Sequence, residues 1–365
     1  MTKRIKVLYT IPNFDTAGSG KVVYDLLSGL NKEHFEVEIA CGSNKGEFFK
    51  TVQDLGVPIY IFETKTTYRP YYSLPVRILT ISKFFKANKF DIIHSWQWSS
   101  DWTEVLAARW VGVKFLYTKK AMSWGNLHWK IKSYLSSFII TINEEMTQYF
   151  SYKKNQKLIP LGLDTSYYDP DLFENCIEDD SSLRIITVAN LVPVKGVEVL
   201  IEALSMFVDS NVSLTVLGDN NSEYSHYLKN YCNKLNVSDQ VKFIKRQKDV
   251  RPFLASSDLF VIPTLDQGRK EGMPMALVEA MSMGLPVLGS DISGINFVLK
   301  DFDSLLFKAN NAIDLKTKIN KILSLSAKER HELGGQLRHY VISHFSFGTF
   351  IKEHERLYKS LIKVK

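Results

Sequence analysis

What most constrains this chain is an alternation that runs, stops and starts again. Ile5 to Tyr9, Val37 to Cys41, Val57 to Ile61, Ile92 with Ile93, Lys114 to Tyr117 and Phe138 to Thr141 are short apolar runs. Between them lie amphipathic stretches such as Gly20 to Leu30, Val76 to Asn88 and Val105 to Trp110. Strand-length runs separated by helical periodicity read as βαβ units, and therefore as a parallel sheet. The pattern breaks at Tyr167 to Ser182 (YYDPDLFENCIEDDSS), a polar, acidic, Pro-containing stretch of the kind that links domains. It restarts with Arg184 to Val188, Val197 to Phe207, Leu214 to Leu217, Glu223 to Leu235, Val241 to Ile244, Leu259 to Ile262, Met275 to Met283 and Val287 to Gly289. The expectation is α/β, with two Rossmann-like domains over 1–168 and 183–345 and a linker over 169–182. A length of 365 residues suits two cores of roughly 150 to 180 residues better than one.

Open parallel sheets bind ligands beyond the carboxyl ends of their strands, so a cleft between two such domains is the expected site. A hydrophobic content of 45% and a charged content of 23% are globular values and exclude a disordered or fibrous chain. Cys41, Cys176 and Cys232 are far apart with no CxxC spacing, so neither a disulfide framework nor a zinc site is expected. The N-terminus lacks the apolar core of a signal peptide and no run is long enough to cross a bilayer, which fits a cytoplasmic enzyme. Charge is uneven. Residues 1–165 hold 22 Lys/Arg against 14 Asp/Glu, and the rest hold 24 against 25. A basic first half suits an anionic partner such as a phosphate, an acidic lipid headgroup or nucleic acid, and chance asymmetry explains it as readily.

Three segments carry chemistry. DTAGSGKVVYDL (Asp15 to Leu26) is a glycine-containing turn between strand and helix, able to approach a phosphate closely or simply to turn tightly. It is not a P-loop, since Val22 follows Gly20-Lys21 and Asp15 stands where the first glycine belongs. DIIHSWQWSSDW (Asp91 to Trp102) puts His94 at a strand end with Trp96, Trp98 and Trp102 behind it, and all six tryptophans lie between 96 and 129. Trp suits stacking on sugar rings, a bilayer interface or ordinary packing, and His94 is either a reacting or a structural histidine. The third segment is PTLDQGRKEGMPMALVEAMSMGLPVLGSDISG (Pro263 to Gly294). Pro274 at an early helical position makes Gly272 to Met275 a helix N-terminus that favours a phosphate, with Glu271 before it and Glu279 eight residues later. At about 1.5 Å of rise per residue the two carboxylates are up to roughly 12 Å apart, the reach from a hexose across a diphosphate to a ribose.

EGMPMALVE resembles the E-x7-E element of the retaining family 4 glycosyltransferases with the GT-B fold, and other segments recur in that family's order. Ala17-Gly18-Ser19 resembles its N-terminal glycine loop and DIIH the strand before the acceptor cleft. IPLGLD (Ile159 to Asp164) is similar to the end of its first domain, VANLVPVKG (Val188 to Gly196) to its V-G-R-L-x-x-x-K-G phosphate loop, and VLGDN (Val216 to Asn220) to the following strand end. Residues 346–365 lie in what resembles the terminal helix that crosses back to the first domain. The resemblance implies a nucleotide diphosphate sugar, UDP-linked, as substrate, with no cofactor and no metal. It implies donor contacts from Gly18, Asn190, Lys195, Gly218, Glu271, Gly272, Met273, Pro274, Met275 and Glu279, with Lys195 neutralising the diphosphate and Glu279 on the ribose. Glu271, Lys195 and His94 would serve the reaction. Trp96, Trp98, Lys119, Lys120 and Trp124 would face a glycan or lipid-diphosphate acceptor.

Departures from the family pattern are local. Asn190 stands where V-G-R-L has Arg, with Arg269 and Lys270 as candidate replacements, and TKKAMSW follows the strand at Tyr117 where a histidine is usual. Asp301 and Asp303 form a DxD, but DFDSLLF matches the loop and strand after the donor site. Val76 to Lys89 is read as a helix packed on the sheet, with peripheral contact to an acidic membrane surface as its other role. The expected function is transfer of a hexose or N-acetylhexosamine in surface polysaccharide or glycoconjugate synthesis, without nucleic acid. The alternatives are a nucleotide-sugar epimerase of the same fold and a silent glycan-binding subunit.

Overall fold

The computed structural model describes residues 3–15, 17–122, 125–173, 182–207, 212–268 and 271–362. They divide into two compact units, one from residues within 1–120, 124–162 and 347–365, the other from residues within 121–123 and 163–346. Arg269, Lys270 and Trp124 lie outside the described residues.

The first unit runs β1 (Ile5–Ile11), α1 (Ala17–Gly29), β2 (Phe35–Cys41), α2 (Glu47–Gln53), β3 (Ile59–Ile61), α3 (Leu74–Ala87), β4 (Ile92–Ser95), α4 (Thr103–Trp110), β5 (Lys114–Lys119), α5 (Leu127–Leu135), β6 (Phe138–Thr141), α6 (Glu144–Gln148) and β7 (Gln156–Leu158). The strands are parallel in the order β3-β2-β1-β4-β5-β6-β7. Leu8, Ile93, Phe115 and Ile139 form one apolar layer of the sheet, and α3 covers it with Ile78, Ile81 and Phe85. The helix therefore packs as its periodicity predicts, while Tyr72, Val76, Lys83 and Lys86 stay exposed. Helix starts are capped where the sequence supplies an Asn: Asn126 accepts from the Trp129 N–H and Asn143 from the Met146 N–H.

The second unit runs β8 (Leu183–Val188), α7 (Val197–Leu204), β9 (Val212–Gly218), α8 (Glu223–Lys234), β10 (Val241–Lys245), α9 (Arg251–Ala255), β11 (Leu259–Ile262), α10 (Met275–Ser282), β12 (Val287–Ser290), α11 (Ser293–Val298), β13 (Leu306–Phe307), α12 (Ala312–Leu323) and α13 (Ala327–His344). Its strands are parallel in the order β10-β9-β8-β11-β12-β13. Val216, Phe260, Leu288, Leu200, Leu277 and Leu337 are buried in it. A capping box between Ser326 and Glu329 starts α13.

The last helix, α14 (Phe347–Leu361), follows the second unit in sequence and belongs to the first. Two glycines admit it closely. A Cβ on Gly29 would overlap the Phe347 and Ile351 side chains, and one on Gly162 would crowd the Phe350 ring. Among the described residues no helix is long and apolar enough to cross a membrane.

Candidate functional site

In each sheet the strand order reverses once, between β1 and β4 in the first unit and between β8 and β11 in the second. Such a reversal opens a crevice beyond the carboxyl ends of the two strands, where α/β sheets take ligands. The segments singled out in the sequence follow these four strands.

In the second unit, β8 leads into Asn190 and a 3-10 turn over Pro193–Lys195, and Gly196 then turns left-handed (φ 62°) to start α7. Any other residue at 196 would be strained, and its Cβ would overlap the Pro263 carbonyl. That contact lays the β8 loop along the β11 loop, where the Leu265 N–H also donates to the Val194 carbonyl at 2.9 Å. Gly218, the last residue of β9, works the same way: a Cβ there would overlap the Ala189 carbonyl. Lys195 is thereby brought to Glu271, 76 positions away, and their side chains form an ion pair in which each is 22% exposed. Asn190 is exposed beside them in sequence.

The helix after Glu271 begins at Met275 with Pro274 as its cap residue, one place later than Pro274 inside the first turn would put it, because the Pro274 ψ of 103° is extended. Pro274 makes no side-chain cap bond to it, and neither Met275 nor Ala276 is buried. The first N–H groups of an α-helix have no partner within it and carry the positive end of its dipole. Gly272, Met273 and Pro274 are buried and set the approach of the chain to this terminus. Glu279 lies in the second half of α10, partly exposed. One close approach at the candidate site escaped the sequence reading: a Cβ on Gly294, in the first turn of α11, would overlap the Glu271 and Gly272 carbonyls. A lone glycine inside a helix start was the available signal.

The first unit treats its strand ends differently. His94, on β4, is fully buried. Its Nδ1 meets the Tyr358 hydroxyl of α14 at 2.6 Å and its Nε2 the Thr118 hydroxyl at 2.8 Å. Burial, then the nearby His354 and Lys120, hold it well below the usual histidine range, so the ring is neutral. This corrects the expectation of a reacting histidine: both nitrogens are engaged inside the core. Lys119 and Lys120 do not act as a pair. Lys119 ends β5 and is buried, with its Nζ 3.9 Å from the centre of the Trp129 ring. Lys120 is half-buried and donates to the Trp96 carbonyl at 2.6 Å and to the Ser19 hydroxyl at 3.2 Å. Gly18 and Ser19 belong to the first turn of α1, with open space around Gly18. Trp96 is fully buried and Trp98 is 45% exposed, so the two do not form one platform.

Two family descriptions cover most of the chain. Glycosyl transferases group 1 matches residues 171–339 and Glycosyltransferase Family 4 matches residues 16–167. The chain is a family 4 glycosyltransferase of the GT-B fold. A galactosyltransferase of Escherichia coli, UDP-Gal:alpha-D-GlcNAc-diphosphoundecaprenol alpha-1,3-galactosyltransferase, is 24% identical over 78% of this chain and 79% of its own. N,N'-diacetylbacillosaminyl-diphospho-undecaprenol alpha-1,3-N-acetylgalactosaminyltransferase of Campylobacter jejuni is 23% identical over 76% of this chain and 79% of its own. A glycosyltransferase crystal structure from Rickettsia africae shares the fold, with a TM-score of 0.87 at 18% identity over the whole of both chains.

In this family 4 glycosyltransferase Lys195 meets Glu271, Glu279 is partly exposed on α10, and Asn190 is exposed after β8. Lys120 puts a cation beside Ser19 at the start of α1. Asp301 and Asp303 sit between α11 and β13, Asp303 opening a 3-10 turn.

Proposed function

We propose that this glycosyltransferase is a retaining enzyme that moves a hexose or N-acetylhexosamine from a UDP-linked sugar to a lipid-diphosphate or glycan acceptor in surface polysaccharide synthesis. The observation that carries the donor half is the Lys195–Glu271 ion pair beside the start of α10. With donor bound, the Lys195 ammonium and the α10 N–H groups take the diphosphate, whose charge grows as it leaves, and a fixed cation is most effective where charge develops. Glu271, released from the pair, turns to the sugar hydroxyls, and Glu279 grips the ribose. The bond from the anomeric carbon to the phosphate oxygen breaks, and the acceptor oxygen bonds to that carbon on the same face. The acceptor proton passes to the leaving phosphate oxygen. No protein base is needed, which accords with the neutral, enclosed His94.

The names of the Escherichia coli and Campylobacter jejuni relatives support a lipid-diphosphate acceptor, and the first supports UDP. Peripheral contact with an acidic membrane surface is supported by exposed Tyr71, Tyr72 and Val76 at the head of α3, followed by exposed Lys83 and Lys86.

The test incubates purified protein with a panel of UDP- and GDP-sugars and a polyprenyl-diphosphate sugar, following products by mass spectrometry and anomeric configuration by NMR. Retained configuration with UDP release is expected. Sugar isomers formed without acceptor would make the chain an epimerase, and tight nucleotide binding without turnover would make it a silent subunit.

A further inference from the structure

Three rings from three separate loops meet in the first unit. Tyr68 follows β3, Trp102 lies between β4 and α4, and His128 follows β5, in the first turn of α5. The Trp102 indole N–H donates to His128 Nδ1 at 3.0 Å. Tyr68 is stacked on both, its ring centre 5.1 Å from that of Trp102 at 18° and 4.9 Å from that of His128 at 8°. Two rings joined edge to edge at that hydrogen-bond distance cannot lie on opposite sides of a third, so both back the same face of Tyr68. Tyr68 is half-buried, and no further ring or cation lies against it among the described residues.

The stack spans the reversal of strand order. In the order β3-β2-β1-β4-β5, Tyr68 comes from one side of the β1–β4 crevice and Trp102 and His128 from the other. Hydrogen bonds hold the Tyr68 loop there: Thr64 Oγ1 donates to Glu104 at 2.6 Å, and the Thr66 N–H to Thr103 Oγ1 at 3.0 Å. Arg77 donates to the Thr66 hydroxyl at 3.0 Å and to the Thr67 carbonyl at 2.8 Å. In the same pair of loops Gln97 is buried, with its amide nitrogen 3.5 Å from Thr64 Oγ1 and its amide oxygen without a hydrogen-bond partner among the described residues. A buried acceptor without a donor in the chain is one that a ligand hydroxyl can satisfy.

We infer that Tyr68, backed by Trp102 and His128, is the platform on which a pyranose ring of the acceptor stacks. The inference rests on the reading of the acceptor as a lipid-diphosphate sugar or glycan. A pyranose carries C–H groups on its faces and hydroxyls around its edge. A flat aromatic face takes the first, and polar groups beside it take the second. An indole has only a donor, so His128 accepts through Nδ1 and carries its proton on Nε2, which leaves a donor at the edge of the stack. The pinned loop and the two backing rings hold Tyr68 in one orientation before the sugar arrives, so little rotamer freedom is lost on binding. The crevice beyond a reversal of strand order is where such sheets take ligands.

The test titrates wild type, Tyr68→Phe and Tyr68→Leu calorimetrically with two kinds of lipid. One is farnesyl diphosphate alone; the other is farnesyl diphosphate carrying a glucose, galactose, N-acetylglucosamine or N-acetylgalactosamine, whichever the wild type binds most tightly. Tyr68→Leu keeps apolar bulk without a flat face. It is expected to weaken the sugar-bearing lipid about tenfold, the scale of losing an aromatic contact, and to leave farnesyl diphosphate alone unchanged. Tyr68→Phe keeps the face and should stay within about twofold of wild type. In turnover Tyr68→Leu should raise the acceptor KM and leave the donor KM and kcat within about twofold. Equal weakening of both lipids in Tyr68→Leu would overturn the inference, since a loop that has merely shifted does not distinguish them. Unchanged affinity for the sugar-bearing lipid would overturn it too, as would a loss in Tyr68→Phe as large as that in Tyr68→Leu. In each of these cases the acceptor reading stands, because the wild type still binds and uses the lipid-linked sugar. A wild type that neither binds nor glycosylates any of these lipids would overturn that reading and the inference with it.

Discussion

The two sheets reverse their strand order at equivalent places and use those places in opposite ways. At the β8 and β11 ends the polar residues face outward on loops that glycines press together, and Lys195 finds Glu271 at a partly exposed position. At the β1 and β4 ends the polar residues are enclosed: Thr10, His94 and Ser95 are all buried, and Thr64 and Ser95 donate to the buried Glu104 of α4 at 2.6 Å each. A strand end at a switch point is therefore only an opportunity. What the neighbouring loops and helices leave uncovered decides whether it does chemistry.

The largest test of that contrast is Lys195→Ala. It is expected to lower kcat by about 100- to 1000-fold, the scale of losing one charge that stabilises a transition state, with the melting temperature nearly unchanged. Turnover at the wild-type rate would remove the second unit's claim to the chemistry. Gly294→Ala should follow, with a fall of up to roughly 100-fold in donor kcat/KM as the Glu271–Gly272 peptide is displaced. Gly335→Ala, where a Cβ meets nothing, is the matched control and should leave the rate alone.

In the first unit the signs reverse. His94→Leu strands the Thr118 hydroxyl and removes a partner of Tyr358. It should lower the melting temperature by roughly 5 to 10 °C while the folded enzyme keeps a kcat within about threefold of wild type, as a group outside the reaction does. A kcat loss at unchanged melting temperature would erase the comparison. The smallest effect is in pH. Burial lowers the His354 pKa from 6.5 to about 4 and lowers that of His94 as well. The native state thus stays neutral where the unfolded chain takes protons. The contribution of His354 to stability is full above 6.5 and is lost as pH falls through about 4. The melting temperature should fall with pH across that window in wild type and fall less in His354→Phe.

Most of the sheet framework was legible in the sequence because each central strand carries its own short apolar run, and so do the edge strands Ile59–Ile61 and Val241–Lys245. The other two edges differ. Gln156–Leu158 holds no such run, and Leu306–Phe307 is two residues long, so pairing with a neighbour rather than local pattern makes each a strand. Helix α13 was also missed, since Gly334 and Gly335 interrupt its pattern, and Gly334 is there to let the helix approach the Gly284 carbonyl. In the candidate site, Lys195, Glu271 and Glu279 were readable because each sits in a short local motif. That Lys195 and Glu271 touch depends on Gly196 folding one loop along another, which spacing cannot reveal. His94 misled for the same reason: Tyr358, which encloses it, stands 264 positions later.

The placement of α14 sets an order of assembly. On the ribosome the second unit's residues 163–346 are all available before Phe347 to Leu361 emerge. Domains of a nascent chain generally mature from the N-terminus. Here the half that is synthesised first must wait, with Tyr9 and His94 lacking their Tyr358 partner, until the sequence after the second half has been made.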